Sequence, residues 1–183
     1  MSNFTLHTAE SAPEKSKAIL EGAQTQMGMV PGLYAVMAES PETLKAYTQL
    51  HQQFTSTSFD AEELTVVWQT INVEHECHYC VPAHTGIAHS MKVNPALTEA
   101  LRNDEAMPSD KLQALKNFTL AVVRERGNVS ETDLEAFYAA GYGNQQVLEV
   151  ILGLSQKVIS NYVNHVAHTP VDKVFEKFTW SKK

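Results

Sequence analysis

Cys77 and Cys80 stand three residues apart in a stretch that also carries Glu74, His75, Glu76, His78, Tyr79 and His84. They are the two cysteines of the chain. The cluster is polar and dense, yet it lies between two apolar runs, 64–73 and 87–93. Thiols at i and i+3 of a helix share one face, so this pair can close a small disulfide. Cys77 falls at the N-terminus of a helix expected from about 77 to 91, where free amides and the helix dipole favour a thiolate. Cys80 is one turn deeper. His84, at i+4 from Cys80 and i+7 from Cys77, lies on the same stripe and can accept a proton from a thiol. Glu74, one turn before Cys77, is placed to orient that imidazole or pass protons to it. Helix geometry aims His78 and Tyr79 less well.

The same residues admit a metal. A C-x-x-C pair can hold zinc, with His75, His78, His84 and His89 as further ligands. Structural zinc sites draw on two separated ligand pairs, and here the distant pair would be His165 and His168 on the last long helix. The spacing therefore favours redox chemistry, and no metal or cofactor is expected. Taken alone, His84 reads equally as a satisfied core histidine, and Glu74 as a solvated surface residue. Their register with the cysteines gives them the functional reading.

The elements that must position this stretch are helices. Asp60 is suited to cap a helix in which Leu64, Val67, Trp68 and Ile71 share one face. Its β-branched residues also fit a strand, but the run is long and has no period of two. Before it, a loosely held arm over 1–11 leads to a helix starting near Ser11, with Pro13 in its first turn and Gly28 as its stop. Ser40-Pro41-Glu42 opens a second helix, to about Phe54, with Leu44, Tyr47, Leu50 and His51 on one side. After the cysteines, Asn94-Pro95 opens a short helix, and Ser109 caps one over 111–126. Ser130 starts another that ends at Gly141. The longest, 145–168, is capped by Asn144 and terminated before Pro170. It is apolar on nearly every side, which implies burial in an oligomer as well as in its own fold. Phe175, Phe178 and Trp180 make the tail a docking segment. The chain reads as all-α and as one domain over 1–183, with a C-x-x-C core at about 40–125 and C-terminal helices at about 130–180.

At 183 residues, with 43% hydrophobic and 19% charged residues, the composition is that of a folded domain. A net charge of −7 argues against nucleic acid and against a polybasic membrane surface. No apolar run has the length of a membrane span, and residues 1–10 lack the pattern of a secretory signal. The expected compartment is the cytoplasm, where a C-x-x-C is more naturally catalytic than structural.

Cys77-His78-Tyr79-Cys80-Val81-Pro82-Ala83-His84 resembles the C-x-x-C-x-x-x-H signature of the alkyl hydroperoxidase D-like branch of the carboxymuconolactone decarboxylase family. The resemblance extends to 10–14, 33–41, 140–150, Asn161-Tyr162-Val163-Asn164-His165 and Thr169-Pro170. It implies an all-helical fold that assembles as dimers, trimers or hexamers, and a thiol-dependent peroxidase. By that resemblance Cys80 attacks a hydroperoxide, Cys77 resolves the sulfenic acid into a disulfide, and His84 relays protons with a glutamate behind it. A dithiol, thioredoxin-like or lipoyl donor would re-reduce the pair. The dipole argument favours Cys77 as the more acidic thiol, but a histidine one turn from Cys80 can outweigh it. The sequence departs from the family where the relay glutamate is expected: Thr65 stands there, Glu63 points to the other side, and Glu74 is the nearer substitute. Relatives that decarboxylate lactones typically lack the cysteine pair, which counts against that reaction. A general thiol-disulfide oxidoreductase would need an exposed first cysteine. A zinc-binding or redox-sensing helical oligomer is the non-enzymatic alternative.

Overall fold

Among the described residues, 4–182 of a computed structural model, the regular elements are all helical. They are α1 (Glu14–Met27), α2 (Gly32–Met37), α3 (Pro41–Thr55), α4 (Ala61–Glu74), α5 (Cys80–Ser90), α6 (Pro95–Arg102), α7 (Asp110–Arg124), α8 (Glu131–Ala139) and α9 (Asn144–Ala167), followed by a 3-10 helix (Lys173–Phe178). The caps form where the side-chain types predict them. Ser40, Ser109 and Ser130 accept from the amide three residues on, and Asp60 with Glu63 closes a reciprocal capping box. Gly28, at φ 73°, takes the left-handed turn that stops α1. The cap of α9 is Gly143, one residue before the expected Asn144. Residues 1–3 of the expected loose arm lie outside the described residues. The rest of the arm is tied down, because His7 donates its amide to the Ala35 carbonyl and its ring meets Glu39 at 2.6 Å.

α4 is the axis of the molecule. Every residue from 63 to 73 is buried, and α5, α6, α7 and α9 all pack on it. The run is a helix because it must show side chains on all sides to partners, which a period-two strand would not do. α9 lies against α3 and α4, and Gly153 allows the approach. A Cβ there would stand 2.6 Å from the Phe54 ring.

The distribution of polarity on α9 is inverted. Gln156, Lys157, Ser160, Asn161 and Asn164 are fully buried, while Leu148, Ile151, Tyr162 and Val166 are exposed. Steps of 3, 11 and 4 residues put the four apolar side chains on one outer face of α9. The tail docks as expected. Phe175 and Phe178 of the 3-10 helix pack over α5 at Gly86, Trp180 donates its indole proton to the Arg102 carbonyl, and Arg102 donates to Phe178 and Thr179. None of these helices is long and apolar enough to cross a membrane.

Candidate active site

The turn between α4 and α5 delivers the cysteines. His75 ends α4, and Glu76 takes the left-handed region at φ 55°. The Glu76 amide then donates to the Val73 carbonyl and the Cys77 amide to the Asn72 carbonyl, the pair of bonds that makes a Schellman turn. Glycine is the usual residue there, so the sequence carries no obvious stop signal. The turn drives Cys77 into the core. Regular α5 begins at Cys80, three residues later than the sequence suggests, although the Cys77 carbonyl already accepts from the Val81 amide. The Cys80 amide donates to Cys77 Sγ at 3.3 Å. Tyr79 and His78, between the cysteines, anchor the turn to the C-terminal segment. Tyr79 donates to Asp172 at 2.5 Å and His78 bonds the Thr169 carbonyl at 3.0 Å.

Both thiols are buried, Cys77 at 0% and Cys80 at 2% exposure, and they are not joined in a disulfide. Cys80 lies on the wall of a cavity of about 510 Å³ whose other walls include Met27, Leu33, Tyr34, Tyr47, Ile87 and Phe175. Cys77 does not reach that cavity and lies behind Cys80. Burial pushes the Cys80 thiol up, but the Cys77 thiol hydrogen-bonded to it, the Lys157 ammonium and the Asn164 and Asn161 amides outweigh burial and bring it down to about 5. Asn164 Nδ2 donates to Cys80 Sγ at 3.2 Å. Cys77 goes the other way. Its hydrogen bond to Cys80, then burial, hold its proton on well above the ordinary thiol range. Cys80 is the acidic thiol, contrary to the dipole argument that favoured Cys77, because the Cys77 thiol, the Lys157 charge and the Asn164 and Asn161 amides converge on it.

His84 is buried beside Cys80, with Nε2 2.9 Å from Lys157 Nζ. Burial, then the Lys157 charge and His51, hold it well below the ordinary histidine range, so the ring is neutral. It accepts from the ammonium and packs against Trp68, ring centroids 4.8 Å apart. His84 is therefore not the cation that acidifies Cys80. Lys157 is, and the sequence reading did not single it out.

Glu74 lies elsewhere. It makes a bidentate pair with Arg124 on α7 at 2.7 and 2.8 Å, which holds its carboxyl below the usual carboxylate range despite partial burial. Asn72 faces the site, and two helical residues turn Glu74 by about 200° to the other side of α4. Thr65 donates to the Ala61 carbonyl, and Glu63 pairs with Lys111 and Tyr142. No carboxylate stands behind His84 among these candidates. A chain of buried amides supports the dithiol instead. His75 Nδ1 meets Asn161 Oδ1 at 2.9 Å, Asn161 donates to Asn72, and Asn72 donates to Gln69 and to the Cys80 carbonyl. Among the described residues no three His, Cys, Asp or Glu side chains group as a metal site, since His75 and His78 are turned to Asn161 and Thr169.

One consequence is open to titration. The ordinary cysteine pKa is about 8.5. A group lowered to about 5 stays ionised from neutrality down to near that value and takes its proton below it. Thiolate absorbance of the reduced protein should thus report one thiolate at pH 7, lost on acidification through about pH 5, and no second thiolate through mild alkali. A single transition near 8.5 would contradict the arrangement.

This set of helices around a buried dithiol is the fold of the alkyl hydroperoxidase D core. The structure is similar to an AhpD-core, uncharacterized peroxidase-related protein from Ralstonia eutropha JMP134, with a TM-score of 0.85 and 18% identity over 95% of this chain and 94% of that one. It is also similar to an uncharacterized peroxidase-related protein from Silicibacter sp. TM1040, with a TM-score of 0.82 and 20% identity over 95% and 93%. A third likeness is to the debrominase Bmp8, solved as a cysteine-to-alanine variant in complex with 2,3,4-tribromopyrrole, with a TM-score of 0.80 and 14% identity over 97% and 95%. No protein-family model matches the sequence, and neither does any curated protein.

Proposed function

We propose that the protein is a thiol peroxidase in which Cys80 attacks a hydroperoxide and Cys77 resolves the product. The observation that carries this reading is a pair of thiols of opposed acidity at the end of an apolar cavity, the thiolate facing the cavity and the protonated thiol sealed behind it. In the first step the Cys80 sulfur bonds the outer oxygen of the hydroperoxide and the O–O bond breaks. Cysteine is oxidised to sulfenic acid, and the inner oxygen leaves as an alkoxide that must be protonated. Cys77 then attacks the Cys80 sulfur. A disulfide forms, and the hydroxyl leaves with the Cys77 proton as water. A dithiol donor returns two electrons and two protons.

The burial of both sulfurs favours a small oxidant that enters a cavity over a protein disulfide, which would need a sulfur at the surface. A second reading draws on the size and aromatic walls of the cavity together with the likeness to a debrominase. The same dithiol would then reduce a halogenated aromatic compound, with release of halide.

Reduced protein mixed with one equivalent of cumene hydroperoxide should consume it and gain a Cys77–Cys80 disulfide by mass. If the peroxide survives and both thiols stay reduced, the peroxidase reading fails. Bromide release from a brominated pyrrole by that same protein would establish the second reading in its place.

A further inference from the structure

We propose that Lys157 is the general acid of this reaction, its ammonium protonating the alkoxide that leaves when the O–O bond breaks. The inference rests on the thiol-peroxidase reading above. It starts from an unfavourable placement. Lys157 is fully buried on α9, and its near neighbours on that helix, Gln156, Ser160, Asn161 and Asn164, are neutral. Taking an ammonium out of water is costly unless a charge and hydrogen bonds compensate it. The compensation comes from across the helix interface. The Cys80 thiolate favours its charged form, although burial still holds Lys157 below the ordinary lysine range, and His84 accepts one of its protons, whereas Glu74 is held by Arg124 on the far side of α4.

One of the three N–H bonds of the ammonium meets His84 Nε2 at 2.9 Å, and its charge acts on the Cys80 sulfur. Lys157 also lines the cavity, as Cys80 does. A hydroperoxide whose outer oxygen lies on the Cys80 sulfur therefore presents its inner oxygen to the same ammonium. His84 does not compete for the role, because a neutral imidazole is a poor acid. It holds Lys157 in place.

The proton is also released at the right moment. Burial favours the neutral amine, and the negative charge on Cys80 opposes it. As the sulfur bonds oxygen it loses that charge. The ammonium then loses its counter-ion while the leaving oxygen gains a full negative charge. The products of the step are Cys80 sulfenic acid, alcohol and the neutral Lys157 amine. The proton is regained when the disulfide is reduced and Cys80 returns as thiolate.

The test compares oxidants whose leaving groups differ in their need of a proton. Cumene hydroperoxide expels an alkoxide, whereas peracetic acid expels acetate, which leaves unaided. Rates of Cys80 oxidation are measured at pH 7 and expressed per thiolate, because Lys157→Met also withdraws support from the thiolate. The expected result is a loss of about 10²-fold or more with cumene hydroperoxide, the range of general acid catalysis, and little loss with peracetic acid. Equal losses on both oxidants would make Lys157 a counter-ion only and overturn the inference. Should Lys157→Met not fold, the wild-type protein decides. A solvent deuterium isotope effect with the hydroperoxide and none with the peracid supports the inference, and the same effect on both, or on neither, sinks it. Wild-type thiols untouched by either oxidant would instead overturn the peroxidase reading itself.

Discussion

Replacing Cys80 by serine should end peroxide reduction, with a loss on the order of 10³-fold or more, because an alcohol in this site stays protonated and cannot attack an O–O bond. Cys77→Ser should behave differently. A serine hydroxyl at position 77 still donates to the Cys80 sulfur and still accepts the Cys80 amide, the two contacts that Cys77 makes now. Cys80 therefore stays acidic and attacks once. With no resolving thiol, the sulfenic acid persists and the protein consumes about one equivalent of peroxide. Mass spectrometry after dimedone trapping should place the adduct on Cys80. Cys77→Ala removes the donor as well, so its thiolate should titrate at higher pH than that of Cys77→Ser. Sustained turnover by Cys77→Ser would show that another group resolves the intermediate. An adduct on Cys77 in the Cys80→Ser protein, with peroxide loss intact, would reverse the two roles.

The grouping of Cys77, Cys80 and His84 was legible in the sequence, because a C-x-x-C followed by a histidine one turn later reads as one stripe, whereas the roles proposed for the two thiols came from the family resemblance and run against the helix-dipole argument. The caps were legible for a similar reason. Ser40, Asp60, Ser109 and Ser130 act through the amides of their own first turn and need no tertiary partner. Two features were not legible. Glu76 closes the Schellman turn without a glycine, so nothing marked the register by which Cys77 enters the core and Glu74 leaves the site. The other is the inverted polarity of α9. Lys157, Asn161 and Asn164 recur at helical spacing inside an apolar helix, but a reading that counts apolar residues sends a polar stripe to solvent. Here the stripe faces inward because its partners, a thiolate and a neutral imidazole, lie on α5. The pairing exists only once the helices have packed. The signal was present as a lysine within a run of amides on the longest helix, and it acquires meaning only from the cysteine motif some 80 residues away.

The largest effect on stability is expected at Trp68, and it should reach the site. Trp68 is 1% exposed on α4. Its ring stacks on His51 at 5.6 Å, tilts against Phe54 at 5.2 Å and packs on His84. Its indole proton goes to Gln156 Oε1 at 2.8 Å. Truncating a buried Trp to Ala costs about 3–5 kcal/mol, and a chain of this length loses roughly 2–4 °C in Tm for each kcal/mol. Trp68→Ala should thus lower Tm by roughly 6–20 °C in a thermal melt. Trp68→Phe keeps an aromatic ring but loses the donor, and should cost less. Both substitutions free Gln156. Its amide donates to Tyr47 and to His51 Nδ1, and Trp68 fixes which end is oxygen and which is nitrogen. Without the indole proton the amide can turn over, and the two cavity walls it holds lose their anchor. The peroxide rate of Trp68→Phe should therefore fall further than its loss of folded protein explains. A Trp68→Phe protein that melts lower yet reacts at the wild-type rate would confine Trp68 to the core. A Trp68→Ala protein that melts within a few degrees of wild type would remove it from the centre of the fold.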